Sequence, residues 1–145
     1  MTLRLHDTAT RAVRDFVPLE PGKASLYLCG ATVQAAPHVG HIRSGVNFDV
    51  LGRWLRASGY EVTFCRNVTD IDDKIIARAA AEGSDEPAVA ARYEQIYVDQ
   101  LERLGVVRPD LTPHATEFVP QMVAVIERLI EQGRAYVIEG SGVYF

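Results

Sequence analysis

Two imidazoles flank a valine and a glycine at His38-Val39-Gly40-His41, directly before an apolar helical pattern. A helix start offers unpaired N–H groups and a partial positive charge, so it favours phosphate. Histidines three positions apart can lie on one side of a helical turn and donate to phosphoryl oxygens as charge builds in a transition state. Gly40 lets a flat base or a phosphate approach the backbone. The same four residues also fit two solvated histidines beside a helix-start glycine, because short motifs are weak signals. Cys29 closes a short apolar run, Leu26-Tyr27-Leu28-Cys29, and Gly30 follows it. It suits either a packed thiol or a thiolate metal ligand, and spacing alone favours the packed thiol. A metal site combining Cys29 with the two histidines lacks the spacing of short zinc knuckles. A third candidate is Asn67-Val68-Thr69-Asp70-Ile71-Asp72-Asp73-Lys74. Its acids suit a helix start, with Asp70 as N-cap, while Thr69 is placed to face the crevice near His38. Lys74 and Ile75 exclude a calcium loop.

The elements that must hold these residues follow from periodicity. Leu26 to Cys29 is expected to be a buried strand, and 30–37 a loop. Ile42, Val46, Val50, Leu51, Trp54 and Leu55 mark one helical face, so Trp54 is expected in the core, with Gly59 ending the helix. Tyr60 to Phe64 alternates as a strand. Strand, loop, helix and strand make a βαβ unit, and ligands bind at the carboxyl ends of such strands. Further on, a short helix is expected over 71–81, another through Tyr93, Tyr97 and Leu101, and a loop over 108–113. A helix through Met122 to Ile130 has Pro120 in its first turn and Gly133 beyond its end. Residues 135–138 and 143–145 suggest a hairpin, and Leu3 to Leu5 with Ala12-Val13 two short extended pieces. Cys65 is expected in or near a strand; His6 and His114 carry no pattern.

The 145 residues suit one domain of ordinary globular composition, 48% hydrophobic and 23% charged. A net charge of −4 argues against a broad basic surface for nonspecific nucleic-acid binding. Two cysteines make no disulfide scaffold and suit a reducing cytosol. No apolar run approaches the ~20 residues of a membrane span, and no signal-peptide pattern opens the chain. The chain stops on an apolar strand at Phe145, so a truncated piece of a longer domain is expected.

The order Leu26 to Val33, His38 to His41, Phe48 to Leu51 and Arg66 to Lys74, with Ala115-Thr116-Glu117 and Gly142-Val143-Tyr144-Phe145, resembles the N-terminal catalytic region of cysteinyl-tRNA synthetases, a class I aminoacyl-tRNA synthetase family. The resemblance implies an α/β fold, a Rossmann-like (HUP-type) parallel sheet flanked by helices, cut before the domain is complete. It implies that 1–145 forms the N-terminal part of the catalytic domain, without the rest of that domain or an anticodon-binding region. His38 and His41 match the catalytic HIGH signature, with ATP held by His38, Gly40 and His41; Val39 replaces the usual isoleucine. Cys29 matches a zinc ligand that meets the substrate thiol, which reverses the spacing-based reading. Gly30, Thr32 and Thr69 match the amino-acid pocket, and Ser44 and Asn67 fall at neighbouring contact positions; Ala31 stands where proline is common. The implied ligands are L-cysteine, ATP with magnesium, zinc and tRNA-Cys, in a cytoplasmic monomer.

Zinc makes chemical sense here, since it prefers a soft thiolate and so rejects serine without editing. Cys29 and the histidines are expected to line one cleft. The other three zinc ligands, the KMSKS-type loop and the anticodon reader are absent, so the 145-residue chain is expected neither to charge tRNA nor to hold zinc firmly. Rival readings are the related ligase joining cysteine to glucosaminyl-inositol in mycothiol synthesis, an HxGH nucleotidyltransferase without zinc, and a noncatalytic nucleotide-binding module.

Overall fold

The computed structural model describes residues 3–145. An antiparallel hairpin opens it, β1 (Arg4–Asp7) with β2 (Ala12–Asp15). Then comes the expected unit: β3 (Lys23–Leu28), α1 (Val39–Ala57) and β4 (Glu61–Arg66), with the two strands parallel and Leu28 opposite Arg66. A crossover helix must run back along the sheet, so α1 begins at the carboxyl edge. Helices α2 (Asp73–Glu82) and α3 (Glu86–Arg103) follow, capped by Asp72 and Asp85. A 3-10 turn (Ala115–Phe118), α4 (Val119–Glu131) and the hairpin β5 (Tyr136–Ile138) and β6 (Gly142–Tyr144) complete the chain.

Alternation along the strands sorts their side chains onto two faces. Ala24, Leu28, Phe64, Arg66 and Val68 are buried and turn toward the helices. Leu26 reaches α1 at Gly52. Val33, Val68, Ile75, Ala79, Val89, Ala90 and Tyr93 form one core cluster, which seats α2 and α3 beside the strand ends. Tyr97, Leu101 and Val106 form a second, joined by Ala31, Ile42 and Val46 of the loop and α1. The N-cap aspartates and Pro87 at the start of α3 explain why these helices begin where they do.

Several expectations need correction. Trp54 is 54% exposed, and the buried side of α1 runs through Gly45, Gly52 and Leu55. Helix α1 approaches α3 so closely that a methyl group on Gly45 would sit 2.7 Å from a Leu101 methyl. Gly45, which the apolar periodicity passes over, shares that contact surface with Ile42 and Val46. Run 26–29 is only half-buried: Tyr27 and Cys29 are exposed. The helix expected over 71–81 starts at Asp73, because Asp72 caps it; Asp70 does not. Segment 108–113 is not a simple loop. Parallel bridges from Cys65 to Leu111 and from Val68 to His114 make it a third lane beside β4.

The side of the molecule carrying α4 and the last hairpin is apolar and open. No residue of α4 is buried, and Met122, Val125, Tyr136 and Val143 are exposed. Among the described residues no helix is long and apolar enough to cross a membrane.

Candidate nucleotide and amino-acid site

The histidine pair sits at the start of α1 in a reciprocal arrangement. His38 is the N-cap, and its Nδ1 accepts the Gly40 N–H at 3.0 Å. His41 Nδ1 accepts the His38 N–H at 3.2 Å. The rings lie 3.9 Å apart between centroids, tilted by 37°. A neutral imidazole that accepts through Nδ1 carries its proton on Nε2. Both rings are therefore fixed as Nε2–H tautomers, each keeping a donor for an incoming acceptor. The capping also consumes two of the orphan N–H groups at the helix start. Gly40 is confined by the same arrangement, since a Cβ there would lie 2.8 Å from the His38 ring. Ser44 lies one turn further along α1 and is half-buried.

The second half of the edge is the pair of strand ends beyond β3 and β4. Gly30 N–H donates to Asn67 Oδ1 at 2.8 Å. Thr32 bridges to Thr69, the Thr69 N–H donates to the Ala31 carbonyl, and the Val33 N–H donates to the Thr69 carbonyl, both at 3.2 Å. Cys29 is an exposed free thiol one residue past β3. The link 29–38 leaves the sheet and returns to α1 at the same carboxyl edge. Among the described residues no three His, Cys, Asp or Glu side chains gather as a metal-binding group.

Sequence reasoning missed what backs this edge. Asp70 accepts from both the hydroxyl and the N–H of Thr116, tying the third lane to the end of β4. His114 shares its Nε2 between the two Glu94 oxygens at 3.0 and 3.1 Å. These residues border a cavity of about 670 Å³ walled by Ile75, Pro87 and Ala90. Only the Ala115-Thr116-Glu117 triplet hinted at a role, and no spacing connects it to Asp70. Burial pushes the Asp70 carboxyl up, but the two Thr116 donors outweigh it and hold the group below the ordinary carboxylate range. Burial pushes His114 down, while Glu94, Asp70 and Glu117 around it raise it above its ordinary value of 6.5.

The His114–Glu94 contact should therefore stabilise the fold fully below about pH 6.5 and fade as pH rises through the higher folded value. Urea midpoints of wild type and Glu94→Gln, compared across pH, check this: the gap is expected to narrow toward alkaline pH. A gap that widens there would contradict the sign. Asp70 acts in the opposite sense, stabilising above about pH 3.8 and ceasing to as acid protonates it.

A βαβ unit with ligand groups at its carboxyl edge defines a Rossmann-like nucleotide-binding fold. Solved structures agree. A Mycobacterium tuberculosis methionyl-tRNA synthetase in complex with methionyl-adenylate matches with a TM-score of 0.68 and 26% identity, over 77% of this chain and 23% of that one. Agrobacterium radiobacter LeuRS, in a ternary complex with tRNA and LeuAMS, matches with a TM-score of 0.62 and 22% identity, over 83% of this chain and 16% of that one; it shares the fold alone. Residues 15–145 match the family described as tRNA synthetases class I (C) catalytic domain, and the chain belongs to that family. A cysteine–tRNA ligase from Nocardioides sp. is 58% identical over 147 residues, covering 100% of this chain and 31% of the relative. One from Streptomyces griseus subsp. griseus is 54% identical over 145 residues, with the same shares covered. The chain thus spans 31% of the length of these curated relatives.

Proposed function

We propose that the protein to which this chain contributes activates L-cysteine with ATP and transfers it to tRNA-Cys in the cytoplasm, and that residues 1–145 form the N-terminal part of its catalytic domain. One observation carries the reading most: two imidazoles locked as Nε2–H donors at the start of α1, on the carboxyl edge of a parallel pair. Donors fixed before the reaction stabilise developing phosphoryl charge without reorganising.

In the first step a carboxylate oxygen of cysteine attacks the α-phosphorus of ATP. The bond to the β-phosphate oxygen breaks, pyrophosphate leaves, and a mixed anhydride of cysteine and AMP forms. His38 and His41 donate to the phosphate oxygens as charge shifts onto them, and Gly40 lets the nucleotide lie against the backbone. Magnesium accompanies the triphosphate. In the second step a hydroxyl of the terminal tRNA ribose attacks the carbonyl carbon and AMP departs. Gly30, Thr32, Ser44 and Thr69 are assigned to the amino-acid side of the site, with Asn67 beside them.

Cys29 is the cysteine that would be offered to zinc, which takes four donors in structural sites and three protein donors in catalytic ones. The remaining donors would have to come from outside residues 1–145. Bound zinc would supply preference for sulfur over oxygen in the substrate. The free state of Cys29 and Cys65 suits a reducing compartment.

Cysteine-dependent exchange of pyrophosphate into ATP is the test. The full-length protein should catalyse it with cysteine and not with serine, and should then charge tRNA-Cys; the 145-residue chain should do neither. Transfer to glucosaminyl-inositol in place of tRNA would shift the reading to the mycothiol-type ligase. Turnover of CTP without cysteine would shift it to a nucleotidyltransferase.

A further inference from the structure

The strand ends that carry Cys29 do not pair one to one. Leu28 stands opposite Arg66, and the ladder resumes with Thr32 opposite Thr69. Between these pairs Cys29, Gly30 and Ala31 face only Asn67 and Val68. The chain running on from β3 therefore holds one extra residue, a bulge, and a bulge re-aims the side chains beside it. An uninterrupted strand would carry residue 29 with Tyr27 on the face away from α1. The extra residue breaks that alternation where the thiol stands.

A bulge also leaves a backbone group without its ladder partner. Here that group is the Gly30 N–H, and a side chain takes it: Asn67 Oδ1, at 2.8 Å. The fit is close, because a Cβ on Gly30 would fall 1.6 Å from the Asn67 carbonyl oxygen. The flanking hydrogen bonds, from Thr69 to Ala31 and from Val33 to Thr69, are all backbone. Asn67 is the only side chain among these contacts.

We infer that Asn67 is a positioning residue: its amide oxygen replaces the missing rung of the ladder, holds the 29–31 bulge, and so sets the direction of the Cys29 thiol. The amide oxygen acts here, so the carboxylate of aspartate can substitute for it. A role through the Nδ2 donor on the substrate would not survive that exchange.

Amide hydrogen exchange in the 145-residue chain reads the contact directly. In Asn67→Ala the Gly30 amide should exchange about tenfold faster relative to the amides of Leu26 and Phe64, the loss expected of one hydrogen bond. Asn67→Asp should stay within about twofold of wild type. Unchanged Gly30 protection in Asn67→Ala, or loss of it in Asn67→Asp, overturns the inference. Should Asn67→Ala fail to fold, the aspartate variant still decides. The consequence for the thiol rests on the cysteine-activating reading. In the full-length protein, Asn67→Ala should raise KM for cysteine about tenfold, with KM for ATP little changed, and Asn67→Asp should restore it. Normal cysteine KM in Asn67→Ala, alongside lost Gly30 protection, would refute the link to the thiol. Complete absence of cysteine activation in wild type would instead refute the functional reading, and leave the exchange result to stand alone.

Discussion

Gly30→Ala should destabilise the chain by about 3 kcal/mol, lowering its melting temperature by about 10 °C. The added methyl would fall 1.6 Å from the Asn67 carbonyl oxygen, and the Asn67 carbonyl carbon stands only 2.8 Å away. Both are backbone atoms, so no rotamer change relieves the overlap. The ends of β3 and β4 would have to separate, at an overpacking cost of about 1–3 kcal/mol. Separation also removes the Gly30–Asn67 hydrogen bond, about 1 kcal/mol more. Gly45→Ala supplies the contrast. Its methyl would meet the end of the Leu101 side chain at 2.7 Å, and that side chain can turn away. Its loss should stay near about 1 kcal/mol. Urea titration followed by circular dichroism measures both. A Gly30→Ala loss no larger than that of Gly45→Ala would mean that the strand ends yield easily.

The histidine pair offers the larger effect on chemistry, because its capping and donating roles can be separated. Asparagine is among the best N-caps, so His38→Asn should keep the bond to the Gly40 N–H and leave stability within about 0.5 kcal/mol of wild type. It removes the Nε2–H. In the full-length protein the same change should lower kcat for pyrophosphate exchange by about 10²–10³, as expected for loss of one fixed donor to a charged transition state. His38→Ala loses both roles and should add about 1 kcal/mol of destabilisation. His41→Asn should lower exchange by a similar factor. Retained turnover in His38→Asn would assign the ring to helix capping alone and remove it from the proposed chemistry.

What the sequence settled is local. The β3–α1–β4 order, the helix through 122–130 and the C-terminal hairpin are readable because period, caps and breakers act over a few residues. The His-Val-Gly-His segment declares its place at a helix start in the same way. Tertiary structure alone decided what depends on distant partners. Trp54 lies outside the core because periodicity marks an apolar stripe without saying which neighbour arrives, and α3 arrives on the glycine side. The third lane at 111–114, the link from Asp70 to Thr116 and the bulge at 29–31 join residues about 40 apart. Such pairings are selected by the packing of the whole sheet, and they leave no spacing in the chain by which to find them.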